Sequence, residues 1–183
     1  IQMYEAGKIM TDIIGDDCVI IASGDLSHRL LTEDEEYDKM GAVYDKHIMN
    51  SISDSNFLGI LSSDSELLER AGQCAQKPLE MLIGAMDGRS SEGKVYSYEG
   101  PFGVGYITAA IESFSNNKEQ LINQYLQIKK DADEKKRQNE DEYIALARDT
   151  IHYYIKNGKK PEMPENLAED MYIKQSGVFV SIK

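Results

Sequence analysis

Val19-Ile20-Ile21-Ala22-Ser23-Gly24-Asp25-Leu26-Ser27-His28 is a β-branched apolar run that stops in Ser-Gly-Asp and then presents a histidine. Such a run, bounded by a turn signal, predicts a buried strand, and in α/β proteins ligands sit just beyond the carboxyl ends of strands. His28 therefore falls where chemistry is usually done. Gly24 permits a sharp turn, and Ser23, Asp25 and Ser27 are placed to brace the loop through local bonds to its amides. Thr32, with Glu35 three residues on, spells a capping box for the next helix. An imidazole carried on so short a loop can give or take a proton near neutral pH. The competing reading is a histidine that only ties the loop down by hydrogen bonds.

Upstream of this stretch, Ile9, Met10, Ile13 and Ile14 recur at helical spacing and lead through Gly15-Asp16-Asp17 into the strand, which Cys18 opens as a small buried hydrophobe. Downstream, Tyr37, Met40, Tyr44, His47, Ile48 and Ile52 mark one face of a helix over 33–52 whose other face is acidic and polar, with His47 as a packed histidine on or beside the apolar side. A short helix follows over 53–61, and Ser63 with Glu66 makes a second capping box before a helix that runs to Gly72. Pro78 suits the first turn of a helix containing Leu79, Leu82, Ile83 and Met86. Gly84 inside that helix costs about 1 kcal/mol against alanine unless a neighbour must come close. After Asp87-Gly88, Val95, Tyr96 and Tyr98 form a strand, residues 100–106 a bend, and Tyr106–Ile111 another strand. The Gly-rich bend lacks the lysine and following Ser/Thr of a phosphate loop, so that reading is rejected.

From Ser113 to Asn139 the chain turns polar, and Leu121, Tyr125 and Ile128 supply only a narrow stripe. This predicts a solvated helical linker. Beyond it, Tyr143, Ile144, Ala147, Ile151, Tyr154 and Ile155 mark an amphipathic helix ended by Asn157-Gly158, with His152 on or near its polar side as a surface residue. A last strand is expected over Gly177–Ile182. The fold class is α/β, a mixed sheet with flanking helices, followed by the opening of a second, α+β domain.

Composition narrows the partners. The 183 residues carry 32 acidic against 20 basic side chains, a net charge of −12, which argues against nucleic acid and anionic membranes. No run approaches the roughly 18 uninterrupted apolar residues of a membrane span, and no basic-then-apolar leader opens the chain, so a cytoplasmic location is expected. Two cysteines make no disulfide framework. An opening without methionine and a closing strand without a successor suggest a fragment of a longer polypeptide.

Ala22-Ser23-Gly24-Asp25-Leu26-Ser27-His28-Arg29-Leu30 resembles the corresponding segment of the class III extradiol ring-cleavage dioxygenase family and its Memo-like relatives. Gln73-Cys74-Ala75 before Pro78-Leu79, Leu82-Ile83-Gly84-Ala85-Met86-Asp87-Gly88, and Ser97 through Tyr106 are similar to further segments of that family, so the resemblance covers residues 1–112. Residues 140–183, from Tyr143-Ile144-Ala145-Leu146-Ala147-Arg148 to Gly177-Val178-Phe179-Val180, resemble the opening of the AMMECR domain, which is fused to dioxygenase-like domains in bacterial AmmeMemoRadiSam proteins. Residues 113–139 would be the linker between them.

The resemblance implies a nonhaem Fe(II) centre, an aromatic diol or related substrate, and an acid/base role for His28. It also implies that the family's iron-binding histidines lie in an earlier half of the domain. Memo-like relatives carry a cysteine where Cys74 stands, which makes Cys74 the candidate metal ligand; the alternative is a helix-start cysteine without metal. Two departures bear on this, since the family's bacterial pattern has Glu at Gln73 and Gly at Ala75. Two functions remain open. One is an extradiol dioxygenase-like enzyme, and the other a catalytically silent accessory module working beside a radical SAM partner protein.

Overall fold

The computed structural model describes residues 2–14, 18–33, 35–116, 120–165 and 167–173, in two units, residues 1–128 and 129–183. The first unit opens with helix α1 (Gln2–Ile14), followed by an extended segment that carries His28. Helices α2 (Met40–Ser53), α3 (Phe57–Leu61), α4 (Ser65–Ala71) and α5 (Gln76–Met86) follow, and then strands β1 (Arg89–Glu99) and β2 (Tyr106–Asn116). Helix α6 (Leu121–Gln138) then buries Ile122 and Tyr125 in the core of the first unit.

The apolar periodicity of α2 and α5 explains that core. Tyr44, Ile48 and Ile52 from α2 meet Ile60 from α3, Ile83 from α5 and Leu26 from the extended segment, all essentially shielded from water. Helix α5 also lies against α1 at close range. A Cβ on Gly84 would land on the Tyr4 carbonyl, and one on Gly7 on the Met81 carbonyl, so the glycine inside α5 serves a close backbone approach. His47 Nε2 lies 3.2 Å from both Gly59 O and Ser63 Oγ, a packed histidine that ties α2 to the segment around α3.

Mixed α/β content is observed, but the sheet is smaller than expected. Among the described residues it is a two-stranded antiparallel hairpin rather than a mixed sheet, with Glu92 opposite Glu112 and Glu99 opposite Tyr106, and irregularities near Ser90 and Val95. The run at Val19 is not one of its strands. Its side chains do alternate, with Val19 at 90% and Ile21 at 85% exposure while Ile20 and Ala22 are half-buried. An extended, alternating run becomes a strand only when a neighbour supplies ladder bonds, and no sheet ladder runs through 18–30 among the described residues. Cys18 is accordingly exposed, not buried. Backbone pairing with a distant segment begins further on, where Leu26 N donates to Gly105 O (2.9 Å), Gly105 N to Ser27 O (2.7 Å) and Leu30 N to Gly103 O (2.9 Å). The bend between β1 and β2 thus folds back on the histidine segment.

Helix starts also differ from the expected capping boxes. Helix α2 begins at Met40, whose amide donates to Asp38 Oδ1 (2.9 Å), seven residues after the expected start at 33. Asp64 rather than Ser63 caps α4, accepting from Glu66 N and Leu67 N, while Ser63 Oγ donates to Ile60 O. In both places an aspartate nearer the helix accepts the unsatisfied first-turn amides, and its short carboxylate reaches them as well as a hydroxyl does. Asp38 also takes a two-pronged contact from Arg70, with Nε–Oδ2 at 2.9 Å and Nη2–Oδ1 at 3.0 Å.

Arg70, with the Met40 amide, holds the Asp38 carboxyl below its ordinary value. A depressed folded-state pKa adds stability above the unfolded value of about 3.9, and that stability is lost as pH falls through the folded value. Arg70→Ala is therefore expected to lower stability at neutral pH and to converge on the wild type in acid. Urea unfolding from about pH 7 down to about pH 2 measures this.

β2 runs on to Asn116, so 113–116 are strand rather than linker, and α6 supplies the polar helix. In the second unit, α7 (Glu142–Asn157) starts at Asp141, whose Oδ1 accepts from Ile144 N (2.8 Å), and ends at Gly158 in the left-handed conformation. Arg148 grips Glu140 through Nε and Nη2, and Tyr143 Oη donates to Asp170 of α8 (Glu169–Ile173) at 2.5 Å. His152 is exposed on α7. The strand expected over Gly177–Ile182 lies outside the described residues. No helix among those described is long and apolar enough to cross a membrane.

Candidate functional site

Two chain segments far apart in sequence are stapled together beside His28. Asp25 O accepts from Cys74 N (3.2 Å) and Ala75 N (2.9 Å), just before α5, and Asp25 N donates back to Cys74 Sγ at 3.1 Å. The bonds run both ways, so Cys74 is held through its side chain as well as its backbone. His28 N donates to Ala71 O (3.2 Å) at the end of α4, which sets the histidine over the same corner.

The side chains converge. His28 Nε2 is 3.9 Å from Cys74 Sγ and 3.5 Å from Asp25 Oδ2, and one ligand atom from each residue lies within 4.8 Å of the others. The His28 side chain is 39% exposed and that of Asp25 44%, so the corner is open to solutes without being a free surface. Both the thiol and the carboxylate face the same ring nitrogen. A nucleophile relay would place the acid on Nδ1 and the thiol on Nε2. The geometry is therefore a convergence of three donors on a point, which suits holding an ion or a proton.

Behind His28 the loop is braced by buried groups. Ser27 is wholly buried, its hydroxyl donating to Ala71 O (2.9 Å) and accepting from Arg29 N (3.0 Å). Its amide donates to Asp45 Oδ1 at 2.7 Å, and Asp45 Oδ2 accepts from Tyr98 Oη at 2.6 Å. Burial pushes the Asp45 carboxyl up, while the bonds from Tyr98 and Ser27 and the nearness of His28 pull it back. Burial and Asp45 together push the Tyr98 hydroxyl up. Ser23 is exposed and lines a second, open depression of about 430 Å³ with Met3, Met10 and Lys77.

An apolar cleft of about 370 Å³ opens next to this corner, lined among others by Ile20, Leu26, Pro78, Leu79 and Ile107. It reaches Gly24 and Ala75, the chain neighbours of Asp25 and Cys74, and has no charged side chain in its lining.

The family model described as the catalytic LigB subunit of aromatic ring-opening dioxygenase matches residues 1–109, more than half of the chain. The chain belongs to the LigB family. A relative from Clostridium acetobutylicum, Protein CA_C1420, is 37% identical over 188 residues, an alignment that takes in all of this chain and 40% of that protein. The chain thus spans well under half the length of the curated relative it matches.

LigB-family proteins typically use Fe(II), and nonhaem iron of this kind is held by two histidines and a carboxylate with open positions. Asp25, His28 and Cys74 offer a carboxylate, an imidazole and a thiol within 4.8 Å of one another, close to the span of two metal–ligand bonds of roughly 2.0–2.3 Å. The donor set, an imidazole and a soft sulfur beside a carboxylate, suits a transition metal. Gln73, which stands where the bacterial pattern has Glu, turns its Oε1 to the Gln76 amide (2.9 Å) at the start of α5. It is a helix-start group here.

Two contributors escape a reading of the sequence. Asp25 reads there as a loop brace only, and Asp45 is not singled out. A carboxylate between Tyr44 and Ile48, in the apolar stripe of α2, is the available signal, because a charge there must find partners.

Proposed function

We propose that Asp25, His28 and Cys74 form one wall of a nonhaem Fe(II) centre in an extradiol dioxygenase-like domain acting on an aromatic diol or a related compound. The carrying observation is the convergence of His28 Nε2, Cys74 Sγ and an Asp25 oxygen within 4.8 Å beside an uncharged cleft. Cys74 supplies a metal ligand, with Asp25 as the oxygen donor beside it. The iron, when bound, supplies open coordination positions and the redox chemistry for dioxygen. His28 takes a proton from the substrate hydroxyl and returns it as the ring opens. The apolar cleft receives the aromatic body and sheds its water.

In our reading residues 1–112 belong to this domain, 113–139 connect it onward, first finishing β2 and then carrying the polar α6, and 140–183 are the opening of an AMMECR domain, on the strength of the run Tyr143–Arg148. The Clostridium relative is longer, with 40% of its length matched, and further ligands for such a centre would come from outside these 183 residues; the location is cytoplasmic. A second reading, an accessory module beside a radical SAM partner, is favoured by one observation: Gln73 stands where the bacterial pattern has Glu, and its Oε1 is spent on the Gln76 amide.

Anaerobic reconstitution of the full-length protein with Fe(II) tests the first reading. About one iron per chain is expected, and Cys74→Ser is expected to weaken it about 100-fold or more, beyond the roughly 10–100-fold cost of disturbing an outer-sphere partner. Iron uptake identical in wild type and Cys74→Ser would remove Cys74 from the centre. Stoichiometric iron without oxygen consumption on any small aromatic diol would favour the accessory reading.

A further inference from the structure

Asp45 is a carboxylate at 1% exposure on the core face of α2, in a place where neutral groups would pack at lower cost. Each of its oxygens has a dedicated donor. Oδ1 takes the Ser27 amide at 2.7 Å, and Oδ2 takes the Tyr98 hydroxyl of β1 at 2.6 Å. A third wall presses on it, because a Cβ on Gly105 would fall on Oδ2. Gly105 itself is paired in both directions with the histidine segment, through Leu26 N and Ser27 O. The carboxylate therefore joins α2 and β1 to the histidine segment at Ser27, the residue immediately before His28.

We propose that Asp45 and Tyr98 are positioning residues for the Asp25–His28–Cys74 cluster: the Tyr98 hydroxyl orients the Asp45 carboxylate, which fixes the Ser27 backbone and so the reach of His28 toward Cys74. The proposal rests on the reading of that cluster as a metal-bearing centre. Neither residue supplies a ligand atom to the cluster, and each acts only through the next. Ser27 has no freedom of its own to compensate, since its hydroxyl is already committed to Ala71 O and Arg29 N. A loop merely needing to be buried would not require both Asp45 oxygens to be directed, one to a backbone amide and one to a side chain on the hairpin.

The test uses the full-length protein, with Tyr98→Phe as the mild variant and Asp45→Asn as the stronger one. Three quantities are read on each: amide hydrogen exchange over residues 25–29, with α5 as the internal reference, and the visible spectrum and the dissociation constant of Co(II) added anaerobically. The expected result for Tyr98→Phe is a retained fold, exchange over 25–29 faster by about tenfold, and Co(II) binding weaker by about 10–100-fold with an altered thiolate charge-transfer band. Unchanged exchange over 25–29 in a folded Tyr98→Phe overturns the proposal. So does faster exchange with Co(II) affinity and spectrum unchanged, since the brace would then serve the loop alone. A wild-type protein that takes up no Co(II) overturns the cluster reading and this inference with it, whereas uptake in the wild type with identical behaviour in the variant overturns the inference alone.

Discussion

In the iron-loaded full-length protein, His28→Ala is expected to lower ring-opening turnover by about 10²–10⁴-fold, the usual contribution of a positioned proton carrier. The ring is braced on both sides in the chain, by Ser27 behind it and by its own amide on Ala71 O, while its side chain stays accessible. Oxygen consumption with catechols measures the loss, and iron content of the same preparation tells what kind of loss it is. Retained iron with lost turnover identifies a proton carrier, whereas iron lost along with turnover identifies a ligand. Turnover equal to that of the wild type would take His28 out of the mechanism.

Gly84→Ala is expected to destabilise the protein by about 2 kcal/mol or more, and here two physical effects of opposite sign compete. Helix propensity alone predicts a gain of about 1 kcal/mol for alanine over glycine in a helix interior. The contact predicts a loss, because the new Cβ would fall on the Tyr4 carbonyl, a backbone atom that cannot rotate aside. Overpacking against such an atom costs about 1–3 kcal/mol when the structure yields and more when it does not. Since Gly7 faces the Met81 carbonyl in the same way, α1 and α5 would have to part along their crossing, exposing Tyr4 and Ile83. The contact is expected to win. A urea midpoint that rises in Gly84→Ala would show the helices free to separate, and faster amide exchange confined to α1 would locate the damage.

Much of the helical architecture is legible in the residues. The stripe of α2 from Met40 on, that of α5, the proline in the first turn of α5, Gly158 beyond α7 and the paired strands either side of the Gly-rich bend all carry local signals and form where those signals lie, whereas Tyr37 of the expected α2 stripe falls before the helix. Local signals fail where the outcome depends on a distant partner. The Val19 run has the composition of a strand and even its alternation, yet a strand is a relation between two segments, and the ladder lies elsewhere. The Thr32/Glu35 and Ser63/Glu66 boxes fail because Asp38 and Asp64, nearer the helices, reach the first-turn amides instead.

The candidate site divides the same way. His28 and Cys74 can each be singled out from their surroundings in sequence, His28 after an apolar run and a turn, Cys74 before a helix. Their meeting across 46 positions is a tertiary fact, produced by Asp25 O accepting two amides at the head of α5. The burial of Asp45 is another, because only the packed chain brings Tyr98 and Ser27 to its two oxygens. Periodicity and capping are written within a few residues of where they act, so the amino-acid order by itself determined the helices and the hairpin. Which donors converge, and which charge is left without water, depends on contacts between residues tens of positions apart, and only the folded chain decided those.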